Sequence, residues 1–360
     1  MRDCRIVLNP AALRHNLRRV ATLAPHSNIL AMVKANAYGH GLAFAVDALT
    51  DADALGVAFL AEAEQVRQCS TQSIVIMEGA FSLAEWQRAA DIGAQCVIHQ
   101  PCQLEWALQH VVQGATVWLK LNAGMNRLGL RPDQVLEAAQ RLRAKGYDLV
   151  LAMHFANADT PDHPMNQQQT QCFEHVRATL APIKTSCCNS AALIAWPAQH
   201  GDWVRPGIML YGSSPFADQS AQQLGLKAVM QVQSVLMATH KLTQGEQVGY
   251  GSLWTADRDS QIGVIAIGYG DGYPRTVQCA TAQILGQTVP IIGRVSMDML
   301  MVDLTDCAQH IPLGAVVTLW GDSPSVDQIA QHAGTLSYEL LCRMTQRPTR
   351  IIEQDDHVLY

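Results

Sequence analysis

Residues 28–41 read NILAMVKANAYGHG, and Lys34 closes the apolar run at their start. The run has the length and composition of a buried strand. A lysine rarely ends such a strand pointing inward unless a partner there uses the amine. The plainer reading is a side chain that snorkels to solvent, so the surroundings must decide between the two.

Working outward, similar runs recur. Asn9 and Pro10 pair an N-cap with a first-turn proline, and Leu13, Leu17 and Val20 follow at helical spacing. The runs ILAMV, ALGVA, SIVIM, QCVIH, TVWLKL, DLVLAM, PIKTSC and WVRPGIMLYG then alternate with amphipathic stretches such as SLAEWQRAADIG and PDQVLEAAQRLRAKG. Eight strand–helix units over about 200 residues match a (β/α)8 barrel. The last two runs carry the weakest strand pattern, which leaves an open parallel sheet as the alternative. Beyond residue 225 the pattern turns β-rich, in KAVMQVQSVLMATHKL, QIGVIAIG, AQILGQTVPIIG, MLMVDL and AVVTLW. The chain is therefore expected to be α/β, with a (β/α)8 barrel over 1–225 and a mainly antiparallel β domain over 226–360. The first few residues could pack with the second domain, and a short helical tail ends the chain.

The 360 residues are 49% hydrophobic, ample for two domain cores. Charged residues make up 16% and the net charge is −6, which argues against nucleic acid or an anionic membrane as partner. The N-terminus shows no secretory pattern, and no apolar run reaches membrane-span length. Ten scattered cysteines, with Cys187 and Cys188 adjacent and no C-x-x-C, fit neither a zinc site nor a disulfide framework. The expectation is a cytoplasmic protein with reduced thiols and no metal.

A parallel barrel gathers its chemistry at the C-terminal ends of its strands. Lys34 ends the first, with Tyr38 behind it. Lys120 lies late in the fifth, followed by Arg127, and His154 ends the sixth. Asn189 and Ser190 follow the seventh, and Arg205 lies in the eighth. Ser190 and the backbone of Gly207 and Ile208 are natural phosphate donors after strands seven and eight. An amine across from a phosphate site suggests a phosphorylated carbonyl held as a Schiff base, with pyridoxal 5'-phosphate (PLP) the leading candidate.

The motifs AMVKANAYGHG, LKLNAGMNRLGL, HFANAD, NSAA, RPGIMLYG, VGYGSLWTA, GYGDGYPR, GRVSMDM and SYELLCR occur in that order. On these the chain closely resembles the alanine racemases over essentially its full length. The resemblance implies a PLP-dependent isomerase that interconverts L- and D-alanine with two bases, supplying or draining D-alanine for peptidoglycan. It implies that Lys34 carries the cofactor and that Tyr250 is the second base. Tyr38, Ser190, Gly207, Ile208 and Tyr338 would hold the phosphate, and Arg205 would face the pyridine nitrogen with His154 behind it. Arg127 and Met297 would border the substrate carboxylate, and Tyr269, Arg275, Arg294 and Asp298 would line the access corridor. It also implies a homodimer in which Tyr250 reaches the partner's barrel, so that each site is composite.

The residue types suit that chemistry. Racemisation removes a proton from one face and returns one to the other, so two bases are required. A tyrosine base needs cationic neighbours to work near neutrality. A guanidinium keeps its protons, so Arg205 would leave the pyridine nitrogen unprotonated and limit side transamination. Two positions depart from the family pattern. Asn122 opens Asn122-Ala123-Gly124-Met125 where the family usually has Asp-Thr-Gly-Met, and Ser186 stands where some members have histidine. The lost carboxylate near Lys120 and Arg127 gives carbamylation of Lys120 added value.

Each residue has a plainer reading as well. The tyrosines could be core aromatics, Arg127, Arg275 and Arg294 ordinary surface arginines, Met297 packing, and His154 an orienting residue. The alternative function is a broad-specificity amino-acid racemase or a PLP-dependent decarboxylase on the same fold. Arg205 argues against the decarboxylase, where an acidic partner for the pyridine nitrogen is expected.

Overall fold

The structure, a computed structural model, describes residues 3–353. Eight parallel strands form one sheet: β2 (Asn28–Met32), β3 (Ala54–Val57), β4 (Ser73–Ile76), β5 (Ala94–Ile98), β6 (Thr116–Lys120), β7 (Asp148–Ala152), β8 (Lys184–Ser186) and β9 (Trp203–Val204). They run in the order β8-β7-β6-β5-β4-β3-β2-β9. The seam between β8 and β9 closes just past both strands, where the Arg205 N–H donates to the Cys188 carbonyl at 2.9 Å. The strands read as unbroken apolar runs because both of their faces are covered. All four residues of Ala54–Val57 are buried, as are Val117, Trp118 and Leu119. The Trp118 indole N–H would be costly inside unless paired, and Gln95 Oε1 accepts it at 2.7 Å.

Local caps place the surrounding helices. Asn9 Oδ1 accepts from the Ala12 N–H at 2.7 Å at the start of helix Pro10–Leu23, as the Asn-Pro pair implied. Asn189 does the same for the short helix Ser190–Ala195, accepting from the Ala192 N–H at 3.0 Å.

The β-rich segment forms β10 (Met230–Leu242), β13 (Ser260–Ile265), β14 (Thr281–Ile284), β15 (Gln287–Ile292), β16 (Leu300–Asp303) and β17 (Val316–Trp320), with a hairpin of β11 (Gln247–Val248) and β12 (Trp254–Thr255) projecting from it. Strand β10 pairs with β17 through Val232–Val235 and with β13 from Leu236 to Leu242, with a register shift between Leu236 and Ala238. That irregularity bends β10 enough to serve both ends of the sheet, so β10-β13-β16-β15-β14-β17 closes into a second barrel.

Two further segments were not anticipated as strands, although the first few residues were expected to be able to pack with the second domain. β1 (Arg5–Leu8) precedes the first helix yet lies antiparallel to β10, and β18 (Thr349–Ile352) lies parallel to β1. The opening residues thus belong to the sheet of the second domain. The helices Val326–Ala333 and Ser337–Arg343 dock on the first barrel through Ser213, whose Oγ lies 2.5 Å from Asp327 Oδ1 and 2.7 Å from Ser337 Oγ.

Candidate active site

Lys34 emerges from β2 into an unusual piece of backbone. Ala35, Asn36, Ala37 and Tyr38 all have φ between 52° and 54°, a left-handed turn of four non-glycine residues. Each costs roughly 1–2 kcal/mol relative to right-handed backbone, so the surroundings must hold the turn in place. The Glu62 carboxylate accepts from the Ala35 N–H at 2.7 Å and from the Ala58 N–H at 2.8 Å. Asn36 Oδ1 accepts from the Leu42 N–H at 2.8 Å. Gly39 (φ +80°) lies so close to the helix Ser337–Arg343 that a Cβ there would sit 2.0 Å from the Leu341 carbonyl oxygen. The result is a half-buried Lys34 at the barrel mouth, whose amine has no hydrogen bond or ion pair among the described residues.

Tyr38, at the end of the turn, stacks on Tyr211 with ring centroids 4.7 Å apart and lies 6.2 Å from Tyr338. The Tyr211 hydroxyl donates to the Met32 carbonyl at 2.8 Å, which fixes the stack to β2. The Tyr38 hydroxyl is pressed against Gly207, where a Cβ would lie 2.5 Å from Oη. It has no hydrogen-bond partner among the described residues, although the side chain is buried. Burial, then Tyr338 and Cys342, push its pKa up, so it stays a hydroxyl donor. Tyr338 is likewise pushed up, by burial and then by Asp159 and Asp327. Ser190 Oγ accepts from the Gly207 N–H at 2.9 Å and the Met209 N–H at 3.4 Å. The second donor to Ser190 is thus Met209, which leaves the Ile208 N–H without an acceptor among the described residues.

Arg205 is buried below this cradle. Nη1 donates to Ser186 Oγ at 2.6 Å, and Nη2 donates to the Met153 carbonyl at 2.7 Å and the Cys187 carbonyl at 3.3 Å. His154 Nδ1 lies 3.5 Å from Nη2. Burial, followed by Arg205, Lys120, Arg127 and Lys34, holds the His154 pKa well down, so its neutral ring can accept. Ser186 is the partner that motif reading missed: it was expected to leave fewer contacts to the cofactor ring, whereas its 2.6 Å bond holds Arg205.

Lys120 ends β6, its carbonyl accepting from the Leu130 N–H at 2.8 Å, while its side-chain amine has no hydrogen bond or ion pair among the described residues. Burial, then Arg205, Arg127 and Lys34, push its pKa down to about 8. Asn122 turns inward on its own loop. Its Oδ1 accepts from the Gly124 N–H at 3.1 Å and the Asn126 N–H at 3.0 Å, shaping the segment that carries the exposed Arg127.

The remaining predicted residues lie on the second domain. Tyr250 caps the β11–β12 hairpin and is 68% exposed. The Arg294 guanidinium packs over the neighbouring Gly251, where a Cβ would lie 3.0 Å from Nη1. Arg275 sits over the Tyr269 ring, 5.7 Å from its centroid. Tyr269 N–H donates to the Ser296 carbonyl at 3.0 Å, and Gly270 N–H to the Met297 carbonyl at 2.8 Å, so these two loops form one ridge. Asp298 accepts from Arg347 Nη2 at 2.6 Å, and Arg347 Nε reaches buried Asp271 at 3.5 Å. Arg347 and Asp271 were not anticipated, because Arg347 lies outside the recognisable motifs. The chain thus gathers Lys34, Tyr38, Lys120, His154, Ser190, Arg205, Gly207, Ile208 and Tyr338 at the barrel mouth. It displays Tyr250, Tyr269, Arg275, Arg294, Met297 and Asp298 on the second domain. Among the described residues, no hydrogen bond, ion pair or ring contact links Tyr250 to Lys34 within the chain.

Comparison with known proteins follows the same division. The alanine racemase N-terminal domain family matches residues 8–215 and the alanine racemase C-terminal domain family matches 229–352. An alanine racemase of Psychrobacter sp. is 49% identical, covering 97% of this chain and 99% of the relative. The solved alanine racemase of Acinetobacter baumannii superposes with a TM-score of 0.95 at 46% identity, covering 98% and 100% of the two chains. That of Bartonella henselae, solved with covalently bound pyridoxal phosphate, superposes at 0.88 with 27% identity, covering 98% and 99%. Both halves of the fold and nearly every residue of the chain fall within these matches, and the chain belongs to the alanine racemase family of isomerases.

Proposed function

We propose that this racemase interconverts L- and D-alanine with PLP held covalently on Lys34. The observation that carries this reading is the Lys34 amine at the mouth where Tyr38 Oη and the Ile208 N–H converge with Ser190 on Gly207, the amine, the Oη and the N–H all without partners among the described residues. Tyr38, Ser190, Ile208 and Tyr338 would hold the phosphate, and Gly207 keeps room for the Tyr38 hydroxyl. Arg205 would face the ring nitrogen, and a guanidinium so tied to Ser186 and Met153 keeps its protons. His154 supports the far side of that guanidinium.

Bound there, PLP would supply the electron sink that acidifies the α-proton of alanine. Once the amino group of alanine displaces it from the cofactor, the Lys34 amine would take or return that proton on the D face, and the Tyr250 phenol oxygen would take it as phenolate or return it as hydroxyl on the L face. Arg127 and the Met297 segment hold the substrate carboxylate. Tyr269, Arg275, Arg294 and Asp298 line the way in, with Arg347 bracing Asp298. Tyr250 is exposed on its own chain, so we assign it to the barrel of a second subunit in a homodimer, which also excludes water from the site. The reaction would sustain or drain D-alanine for peptidoglycan in the cytoplasm.

Lys120 is proposed to be carbamylated. Its lowered pKa leaves a share of neutral amine near neutrality, and that nitrogen can add to carbon dioxide. A C–N bond forms, one proton leaves to solvent, and the product carries a negative charge that would orient Arg127.

The test is borohydride reduction of purified protein followed by peptide mapping. A pyridoxyl group on Lys34, together with loss of optical rotation from either alanine enantiomer, is expected. A label on another lysine would overturn the assignment.

A further inference from the structure

We infer that His40 is a positioning residue, whose ring holds the left-handed turn that aims Lys34 and Tyr38 into the cofactor cradle. His40 is fully buried, and its Nδ1 lies 3.1 Å from the Ala37 carbonyl oxygen and 3.0 Å from that of Tyr38. Both partners only accept, so Nδ1 carries the hydrogen. Nε2 is buried with no partner among the described residues, which leaves no place there for a second proton. Burial lowers the pKa to about 4 against the pull of the two carbonyls, with Arg350 lowering it further, so the ring is neutral when the enzyme works.

The bond to Tyr38 matters because left-handed backbone turns carbonyls away from the helical partners that would otherwise satisfy them. The ring supplies the donor that this strained stretch lacks. It also packs 4.6 Å from Tyr211, which in turn stacks on Tyr38, so His40, Tyr211 and Tyr38 form one column of rings. One side chain therefore fixes both the turn that presents Lys34 and the ring that presents the Tyr38 hydroxyl. Its neighbour Gly39 is pinned against Leu341, in the helix that bears Tyr338, so the turn is registered against the Tyr338 hydroxyl as well.

This role rests on the assignment of PLP to Lys34, and the test keeps the two apart. Full-length wild type, His40→Asn and His40→Leu are compared. Asparagine keeps an N–H near the Nδ1 position, and leucine fills space without a donor. Two quantities are read: amide hydrogen exchange in residues 33–41, and PLP affinity by absorbance titration. His40→Leu should raise exchange there and weaken PLP binding by about ten-fold each, with the KM for L-alanine within about two-fold, and His40→Asn should recover most of both. Unchanged exchange and affinity in His40→Leu, or an asparagine variant as damaged as leucine, would overturn the role. If His40→Leu does not fold, His40→Gln, which moves the donor out of place, takes over its part in the comparison. An unlabelled Lys34 in borohydride-treated wild type would instead overturn the cofactor assignment, and with it the purpose given to His40.

Discussion

Ser186 Oγ lies 2.6 Å from Arg205 Nη1 and donates in turn to the Trp203 carbonyl at 2.9 Å, tying the guanidinium to the β8–β9 seam. Removing the hydroxyl leaves a buried charged donor without one of its acceptors. Ser186→Ala should therefore cost about 1.5–3 kcal/mol of stability, read by urea unfolding of the enzyme. A loss within a few tenths of that of an exposed Ser→Ala control would show that water replaces the hydroxyl.

Lys120 gives the protein a pH signature. Its folded pKa is about 8 against an ordinary 10.5, so between those values the unfolded chain binds more protons and stability rises with pH. Below pH 8 the buried ammonium carries its full cost. In PLP-free protein stripped of carbon dioxide and bicarbonate, where Lys120 is a free amine, Lys120→Met should be more stable than wild type at pH 7, by about 3 kcal/mol at most. The gap should shrink as pH rises from 8 toward 10.5. An equal gap at pH 7 and pH 10 would mean that Lys120 is not depressed in the folded state.

Why some of this could be read in the sequence and some could not has physical reasons. The barrel strands were legible because parallel strands covered on both faces become unbroken apolar runs. Even the weakly patterned PIKTSC and WVRPGIMLYG contribute strands, of three and two residues, with Arg205 and Cys188 closing the seam. β1 escaped because four residues make a short signal. Ile6 and Leu8 alternate with half-buried Arg5 and Val7, but their partner is β10, far along the chain. At the site, the motifs singled out the residues to which roles are proposed, while the backbone beneath them was not legible. Of Ala35-Asn36-Ala37-Tyr38 only Asn36 is of a type that visits φ near 53°; the adjoining Gly39 and, from elsewhere in the sequence, Glu62 and Leu341 hold the turn in that conformation. Arg347 and Asp271 escaped for the same reason, since their pairing is visible only in three dimensions.

Gly207 should tolerate no side chain. A Cβ would lie 2.5 Å from Tyr38 Oη, so Gly207→Ala must displace the hydroxyl that is proposed to hold the phosphate. PLP affinity should fall by about ten-fold or more. Adding Tyr38→Phe should restore part of the lost thermal stability without restoring affinity. If Gly207→Ala binds PLP as wild type does, the phosphate lies elsewhere.

Tyr250→Phe should separate the two directions of proton removal. Solvent deuterium exchange at the α-carbon of L-alanine should collapse by about 100-fold or more, as expected for loss of a general base, while exchange of D-alanine survives in part. Equal losses with both enantiomers would argue for a single base.

The composite site is the central claim, and subunit mixing tests it most directly. Lys34→Ala and Tyr250→Phe, each inactive alone, are unfolded together and refolded as an equal mixture. If Tyr250 serves the partner's Lys34, a mixed dimer holds one doubly damaged site and one intact site. About half of the dimers are mixed, so activity should return to roughly a quarter of wild type. Heterodimers that form and stay inactive would contradict the account, because both bases would then come from one chain.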